Sequence, residues 1–271
     1  MRCKALVIVL LLVSFAAVPP VRAGNVVIKG STTVLPIAQK VSEAYMKENP
    51  DVRISISGGG SGNGIKALID GMTDIADSSR FIKDKEVKQA VENGQYPVPF
   101  AVAYDCIVPA VHPSNPAADI TMDQLKAVYQ GQIKNWEELG GPDKKITVIS
   151  RDTSSGTYEV WEKIVMRKER VYPGALLQAS NGAVVQAVSK NKNAIGYIGI
   201  GYINETVKPL TVSGIEGTAE TTLNGKFPIS RPLYMFTRGW PIGDTLNFIN
   251  YVLHPGKGQK LVGAAGYVPL Y

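Results

Sequence analysis

Five hydroxyls, one arginine and one glycine fall within eight residues at Ser150-Arg151-Asp152-Thr153-Ser154-Ser155-Gly156-Thr157. An apolar alternating run at 145–149 precedes them and reads as a strand; residues 158–165 carry a helical pattern and follow. The segment is therefore a strand-to-helix corner. The first turn of a helix has unpaired N–H groups and the positive end of the backbone dipole. An anion seated there meets backbone donors, hydroxyl donors and a guanidinium fork together.

Three other corners vary this design. Gly30-Ser31-Thr32-Thr33 follows a short β-branched strand at 25–29 and leads, through Pro36, into a helix with Ile37, Val41, Ala44 and Tyr45 on one face. Ser57 to Gly64 is a glycine-rich turn after the alternating strand 52–56, and Ile65, Leu68 and Ile69 then mark a helix ended by Gly71. Asp77-Ser78-Ser79-Arg80 closes a third strand at 73–76. Ligands of open α/β sheets sit beyond the carboxyl ends of the strands. The candidate contacts are thus Ser31, Thr32, Thr33, Ser61, Gly62, Ser79, Arg80, Arg151, Ser154, Ser155, Gly156 and Thr157. Donors dominate this set, which suits a small oxyanion. Each corner also has a plainer reading: a flexible turn at 58–64, an N-cap at 31–33, an Arg80 ion pair with Asp77 or Asp84, and a surface Arg151–Asp152 pair.

Strands alternate with helices along the whole chain, which predicts an α/β fold with mostly parallel sheets. Two long extended runs, 98–111 and 229–237, bracket a middle segment and are read as passages between two lobes. The first lobe would take 24–104 and 231–271, the second 105–230. Further helices are expected at 85–92, 121–131, 183–189, 244–253 and 258–264, a strand at 194–200, and a polar hairpin or loop at 211–225.

The chain begins with Arg2 and Lys4, an apolar run at 5–18, Pro19-Pro20 and a small residue, Ala23, before Gly24. This is the pattern of a secretory signal peptide cut near Ala23. The run is shorter than the ~20 residues of a membrane span, and no later run approaches about 18 apolar residues. Cys3 leaves with the leader, so Cys106 stands alone and is read as a small buried apolar residue. Removing Arg2, Lys4 and Arg22 from the 29 basic residues leaves 26 against 23 acidic ones. That mild excess, scattered along the chain, does not form a nucleic-acid stripe.

Enzyme readings fail at particular positions. Gly59-Gly60-Ser61-Gly62-Asn63 approaches the nucleophile elbow but ends in Asn. Both histidines, His112 and His254, directly precede a proline. Nucleotide-binding glycine motifs are missing, and one Cys with two scattered His makes no transition-metal pattern. Neither a cofactor nor a metal is expected. A secreted serine hydrolase or phosphatase using Ser61 or Ser155 remains as the alternative of a different class.

These corners resemble the phosphate-binding periplasmic proteins that feed phosphate ABC transporters, over essentially the whole mature chain. Gly30-Ser31-Thr32-Thr33-Val34-Leu35-Pro36, Gly60-Ser61-Gly62-Asn63-Gly64, Asp74-Ile75-Ala76-Asp77-Ser78-Ser79-Arg80 and Arg151 to Thr157 look like the family's four anion loops. Asn193-Ala194-Ile195-Gly196-Tyr197, Ile229-Ser230-Arg231-Pro232-Leu233-Tyr234 and Gly266-Tyr267-Val268-Pro269-Leu270 are also family-like. The resemblance implies the two-lobed type II periplasmic-binding-protein fold, each lobe a mainly parallel sheet flanked by helices, hinging shut on inorganic phosphate. It implies hydroxyls from Thr32, Ser61, Ser155 and Thr157, N–H groups from Thr33 and Gly156, and the Arg151 guanidinium. It further implies a periplasmic monomer that is not an enzyme and hands phosphate to a membrane permease. Some relatives carry an aspartate where this chain has Ser79, so Ser79 is expected to accept the phosphate proton, and sulfate or arsenate stays open as the ligand.

Overall fold

The computed structural model describes residues 24–271; the signal peptide expected at 1–23 lies outside them. Strand β1 (Gly24–Gly30) leads to helix α1 (Leu35–Glu48), β2 (Val52–Ser57), α2 (Ser61–Ile69), β3 (Ile75–Ser78) and α3 (Asp84–Glu92). The long strand β4 (Val98–Val111) follows, then β5 (Asp119–Ile120), α4 (Met122–Tyr129), a 3-10 turn (Trp136–Leu139), β6 (Thr147–Arg151) and α5 (Gly156–Ile164). Next come β7 (Leu176–Gln178), α6 (Asn181–Ser189), β8 (Ala194–Gly199), a 3-10 turn (Ile200–Tyr202), β9 (Lys208–Pro209), β10 (Thr211–Val212) and α7 (Ala219–Leu223). The chain closes with β11 (Ser230–Thr237), α8 (Gly243–Leu253) and α9 (Gly258–Ala264).

One sheet runs through the molecule in the order β2-β1-β3-β11-β4-β8-β6-β7, with β9 beside β4. Strand β4 is long because it serves two neighbourhoods. Val98 to Cys106 pair with β11, and Ile107 to Val111 pair with β8. Its partner change falls beside Asp105, which sits opposite Arg231 of β11.

Three apolar clusters lie against this sheet. One gathers residues from Cys106 to Ile229, including Trp136, Trp161 and Tyr197. A second combines Val26 to Tyr45, Ile75, Val102 and Ala103 with Leu233 to Tyr267; a third, around Ile65, Leu68 and Phe236, packs α2 and α3 on the sheet's other face. The predicted stripe of α1 is met, with Ile37, Val41 and Tyr45 buried and Ala44 half-buried.

Local detail differs from expectation at several points. The expected parallel pairings are present as β1/β2, β1/β3, β6/β7 and β6/β8, and the pairings of β4 and β11 are antiparallel. Strands that carry the chain out and back must oppose each other. Helix α2 starts at Ser61, inside the glycine run, because Gly60 turns the chain at φ 100°. Part of the expected loop at 211–225 is helix α7, whose cap Thr218 accepts the Thr221 N–H. Strand β7 had no alternating pattern to announce it, since Leu176 and Leu177 are both exposed.

Candidate anion site

The corner after β6 is built on an aromatic platform. Trp161 stacks on Tyr197 with centroids 4.2 Å apart, and the Tyr197 hydroxyl lies 3.0 Å from Ser150 Oγ and accepts the Arg151 N–H at 3.2 Å. This fixes the end of the strand. Arg151 is only 1% exposed. Its Nε donates to the Gln178 carbonyl at 2.9 Å and its Nη2 to the Ala179 carbonyl at 3.0 Å, while the buried Nη1 has no partner. Burial presses this guanidinium below its ordinary value, yet arginine stays charged in proteins. Asp152 is not its hydrogen-bonding partner; that carboxylate accepts the Ser154 N–H and hydroxyl. Ser155 caps α5 by accepting the Tyr158 N–H at 3.2 Å.

Facing it are the corners at 30–33, 57–64 and 77–80. The Gly62 N–H donates to the Ser154 carbonyl at 2.9 Å, and the Ser154 hydroxyl oxygen, whose hydrogen goes to Asp152, stands 3.3 Å from the Gly59 carbonyl. The contact is close enough that a Cβ on Gly60 would stand 2.7 Å from the Ser154 carbonyl oxygen. Thr33 Oγ1 and Thr157 Oγ1 meet at 3.0 Å. Ser61 Oγ lies 3.2 Å from Ser79 Oγ and accepts the Ser79 N–H at 3.0 Å. Gly156 rests on that pair, where an added Cβ would approach Ser61 Oγ to 2.4 Å. The four corners therefore converge, and the helices α2 and α5 begin there.

Four expected contacts have other engagements: Gly62 gives its N–H to the Ser154 carbonyl, Ser154 gives its N–H and hydroxyl to Asp152, and Ser31 and Arg80 are also committed. Ser31 Oγ accepts the N–H groups of Thr33 and Val34, so it works as the cap of the α1 entry. Arg80 turns away from the cleft: its Nη atoms form a two-pronged pair with Glu86 at 2.7 and 2.8 Å, and its Nε stands 2.9 Å from Glu159 Oε1. Burial opposes its charge, but Glu86 and Glu159 outweigh that and raise its pKa. The Asp77 and Asp84 pairings weighed for Arg80 are replaced by these glutamates, one three residues into a capped helix and one on α5, neither adjacent in sequence. Asp77 itself is buried with Oδ1 unpartnered, and burial pushes its carboxyl well above the carboxylate range.

Four site residues were not identified from sequence. Asn181, fully buried at the start of α6, donates from Nδ2 to Thr32 Oγ1 at 3.3 Å and to Thr33 Oγ1 at 3.0 Å. Arg231 binds Asp105 through Nε and Nη2, and also reaches Thr33 Oγ1 at 3.3 Å, Thr157 Oγ1 at 3.1 Å and the Ser79 carbonyl at 3.2 Å. Tyr202 donates to the Thr32 carbonyl. For Arg231 and Asp105 a signal existed: each interrupts an apolar extended run.

Among the described residues no group of three or more His, Cys, Asp or Glu could hold a metal, and no helix is long and apolar enough to cross a membrane. The Nδ1 atoms of His112 and His254 each accept an N–H two residues on, in loops. The four corners bring together hydroxyls and helix N–H groups, and the last of them carries Arg151, whose Nη1 has no partner.

The family model described as PBP superfamily domain matches residues 17–255. Phosphate-binding protein PstS of Bacillus subtilis is 32% identical over 249 residues, spanning 92% of this chain and 81% of that protein. Its counterpart in Staphylococcus epidermidis is 35% identical over 254 residues, 89% and 77% of the two chains. A putative phosphate ABC transporter substrate-binding protein with bound phosphate, from Clostridium perfringens, superposes with TM-score 0.86 at 34% identity, covering 92% of this chain and all of the other. An ABC-type phosphate transport receptor from Vibrio cholerae gives TM-score 0.73 at 30% identity over 90% and 99%. The chain belongs to the PBP superfamily and, within it, to the family of the phosphate-binding protein PstS.

Proposed function

We propose that this chain captures inorganic phosphate between two lobes, 24–104 with 231–271 and 105–230, and delivers it to the membrane permease of a phosphate ABC transporter. The observation that carries the reading is Arg151, buried and held by two carbonyls with Nη1 left over. A carbonyl satisfies a guanidinium hydrogen without cancelling its charge, so the positive charge is available to an anion. The apolar clusters, which divide near 104–106 and 229–233, support the two lobes. Thr32, Ser61, Ser79, Ser155, Gly156 and Thr157 are the proposed partners of the phosphate oxygens; the Thr33 N–H, expected to be one, is held by Ser31 Oγ. Arg80 holds the rim shut through Glu159. The leader pattern before Gly24 supports a periplasmic chain released by cleavage near Ala23.

Catalysis has no support in the local chemistry. Ser61 and Ser155 spend an acceptor position on the N–H groups of Ser79 and Tyr158, and no base is bonded to either hydroxyl. The deciding experiment is calorimetric titration of anion-stripped protein with phosphate and with sulfate at matched ionic strength. Phosphate is expected to bind saturably at one site, adding about 2.7 kcal/mol of stability at about 100 times its Kd. Absence of both heat and thermal shift with phosphate would refute the reading.

A further inference from the structure

A hydroxyl has one hydrogen to give and two lone pairs to receive with. Thr32 Oγ1 accepts from both the backbone N–H and the Nδ2 of Asn181. Both lone pairs are occupied, so its hydrogen must point outward. Asn181 cannot be turned the other way, because its Oδ1 accepts the Gly199 N–H at 3.3 Å. Thr33 Oγ1 accepts from Asn181 Nδ2 and from Arg231 Nη2, so its hydrogen goes to Thr157 Oγ1, 3.0 Å away. Thr157 Oγ1 then receives from Thr33 and from Arg231 Nη2, and its own hydrogen is driven out in turn. Arg231 Nη2 has two hydrogens for three acceptors, Asp105 included, so the second is shared between the two threonines.

The serine pair is different. Ser61 Oγ accepts one N–H, from Ser79, and the two hydroxyls can point either way along their 3.2 Å contact. A lone pair is free there to receive a hydrogen.

Resting on the phosphate reading above, we infer that Asn181 and Arg231 determine specificity by orienting hydrogens: they fill the lone pairs of Thr32, Thr33 and Thr157, fix all three as donors, and leave acceptance of the ligand's proton to the Ser61–Ser79 pair. Such a site favours an oxyanion with one proton over one with two, because a second P–O–H would meet a threonine hydrogen. Dibasic phosphate is then the bound form, and Asn181 and Arg231 are positioning residues that need not touch it.

Several ionisable groups face Arg231. Asp105 lies opposite it on β4, with Arg151, Cys106, Tyr202 and Tyr267 around them. Guanidinium groups do not titrate in proteins. Burial pushes Cys106 and Tyr202 up to about 12 and Tyr267 well above its ordinary value, so these stay neutral. Burial also pushes Asp105 up, against the pull of Arg231 and the Ile200 N–H. Asn181→Ala leaves every one of these groups in place, and Arg231→Lys keeps a cation opposite Asp105.

The test measures phosphate affinity and proton release by calorimetry from about pH 5.5 to about pH 8.5 on the anion-stripped chain, where selection of one protonation state gives up to about tenfold per pH unit. Wild type should gain affinity as the pH rises toward the second ionisation of phosphate and release a proton on binding at the acid end. Asn181→Ala and Arg231→Lys each free a lone pair, so both should bind monobasic phosphate, flatten the profile to less than half that slope and release fewer protons. A merely structural role would lower affinity by one factor at every pH. A flat wild-type profile, or a profile parallel to wild type in either folded variant, overturns the inference; should Arg231→Lys fail to fold, Asn181→Ala decides alone. No phosphate binding by wild type at any pH would instead refute the function it rests on.

Discussion

The corners at 77–80 and 150–157 present the same chemistry as text: a strand end, serines and an arginine. In space the two arginines do opposite things. Arg80 and Arg151 are both buried, at 7% and 1% exposure. Arg80 is surrounded by Glu86 and Glu159, Arg151 by the carbonyls of Gln178 and Ala179. Carboxylates neutralise a guanidinium, whereas carbonyls only orient it. On the proposed reading, a buried arginine is available to an anion when its own partners are formally neutral and acts as a structural joint when they are acidic.

The largest effect should come from removing the uncancelled charge. Arg151→Ala is expected to lose roughly 2–5 kcal/mol of phosphate binding, the range for truncating one member of a buried charged contact. At about 1.4 kcal/mol per decade that is about thirty-fold to several thousand-fold in Kd. A calorimetric loss under about threefold would break the contrast with Arg80. Next comes Gly156→Ala. Its new methyl would press on Ser61 Oγ and Ser79 Oγ, and overpacking of this kind costs about 1–3 kcal/mol. Phosphate affinity should fall by about five-fold to a hundred-fold; unchanged binding would mean the serine pair is not part of the pocket.

A smaller effect is expected at the joint. Glu159 ties Arg80 and Lys83, on the first corner's side, to α5. Glu159→Gln keeps the shape and halves the acidic surround of Arg80. Its effect should appear as faster phosphate release, about three- to ten-fold by stopped-flow, since buried charge pairs act mainly on dissociation. An effect equal to that of Arg151→Ala would erase the distinction between the two arginines.

Much of this was legible in the sequence. Strand ends carrying hydroxyls and glycines are local signals, and the helical stripe of α1 followed from periodicity. What could not be read were partners set by sheet register. Asp105 and Arg231 lie 126 residues apart and face each other only because β4 and β11 pair as they do. Asn181 reaches Thr32 and Thr33 across 149 and 148 residues. Arg80 reads from sequence as a cleft residue because its glutamates come from two helices whose orientation the chain order does not reveal. Side-chain type is local; cancellation of charge is tertiary.

The smallest effect sharpens the comparison from within the corner at 77–80. Asp77 sits two residues before Ser79 and is buried with Oδ1 unpartnered, a state that disfavours its charged form and raises its pKa well above the ordinary value. An acid with a raised folded pKa binds more protons folded than unfolded once the pH passes its unfolded value, about 3.9. Stability from this group is therefore lost as pH rises toward the folded value, by at most about 1.4 kcal/mol per pH unit. Asn cannot titrate, so Asp77→Asn should gain stability relative to wild type as the pH rises above the unfolded value of about 3.9, read from urea midpoints at constant m. Its phosphate affinity should stay within about twofold, less than about 0.4 kcal/mol. A parallel pH dependence in wild type and variant would mean that Asp77 is charged and satisfied in the folded protein. A large loss of affinity would move the proton acceptor from the Ser61–Ser79 pair to this carboxyl.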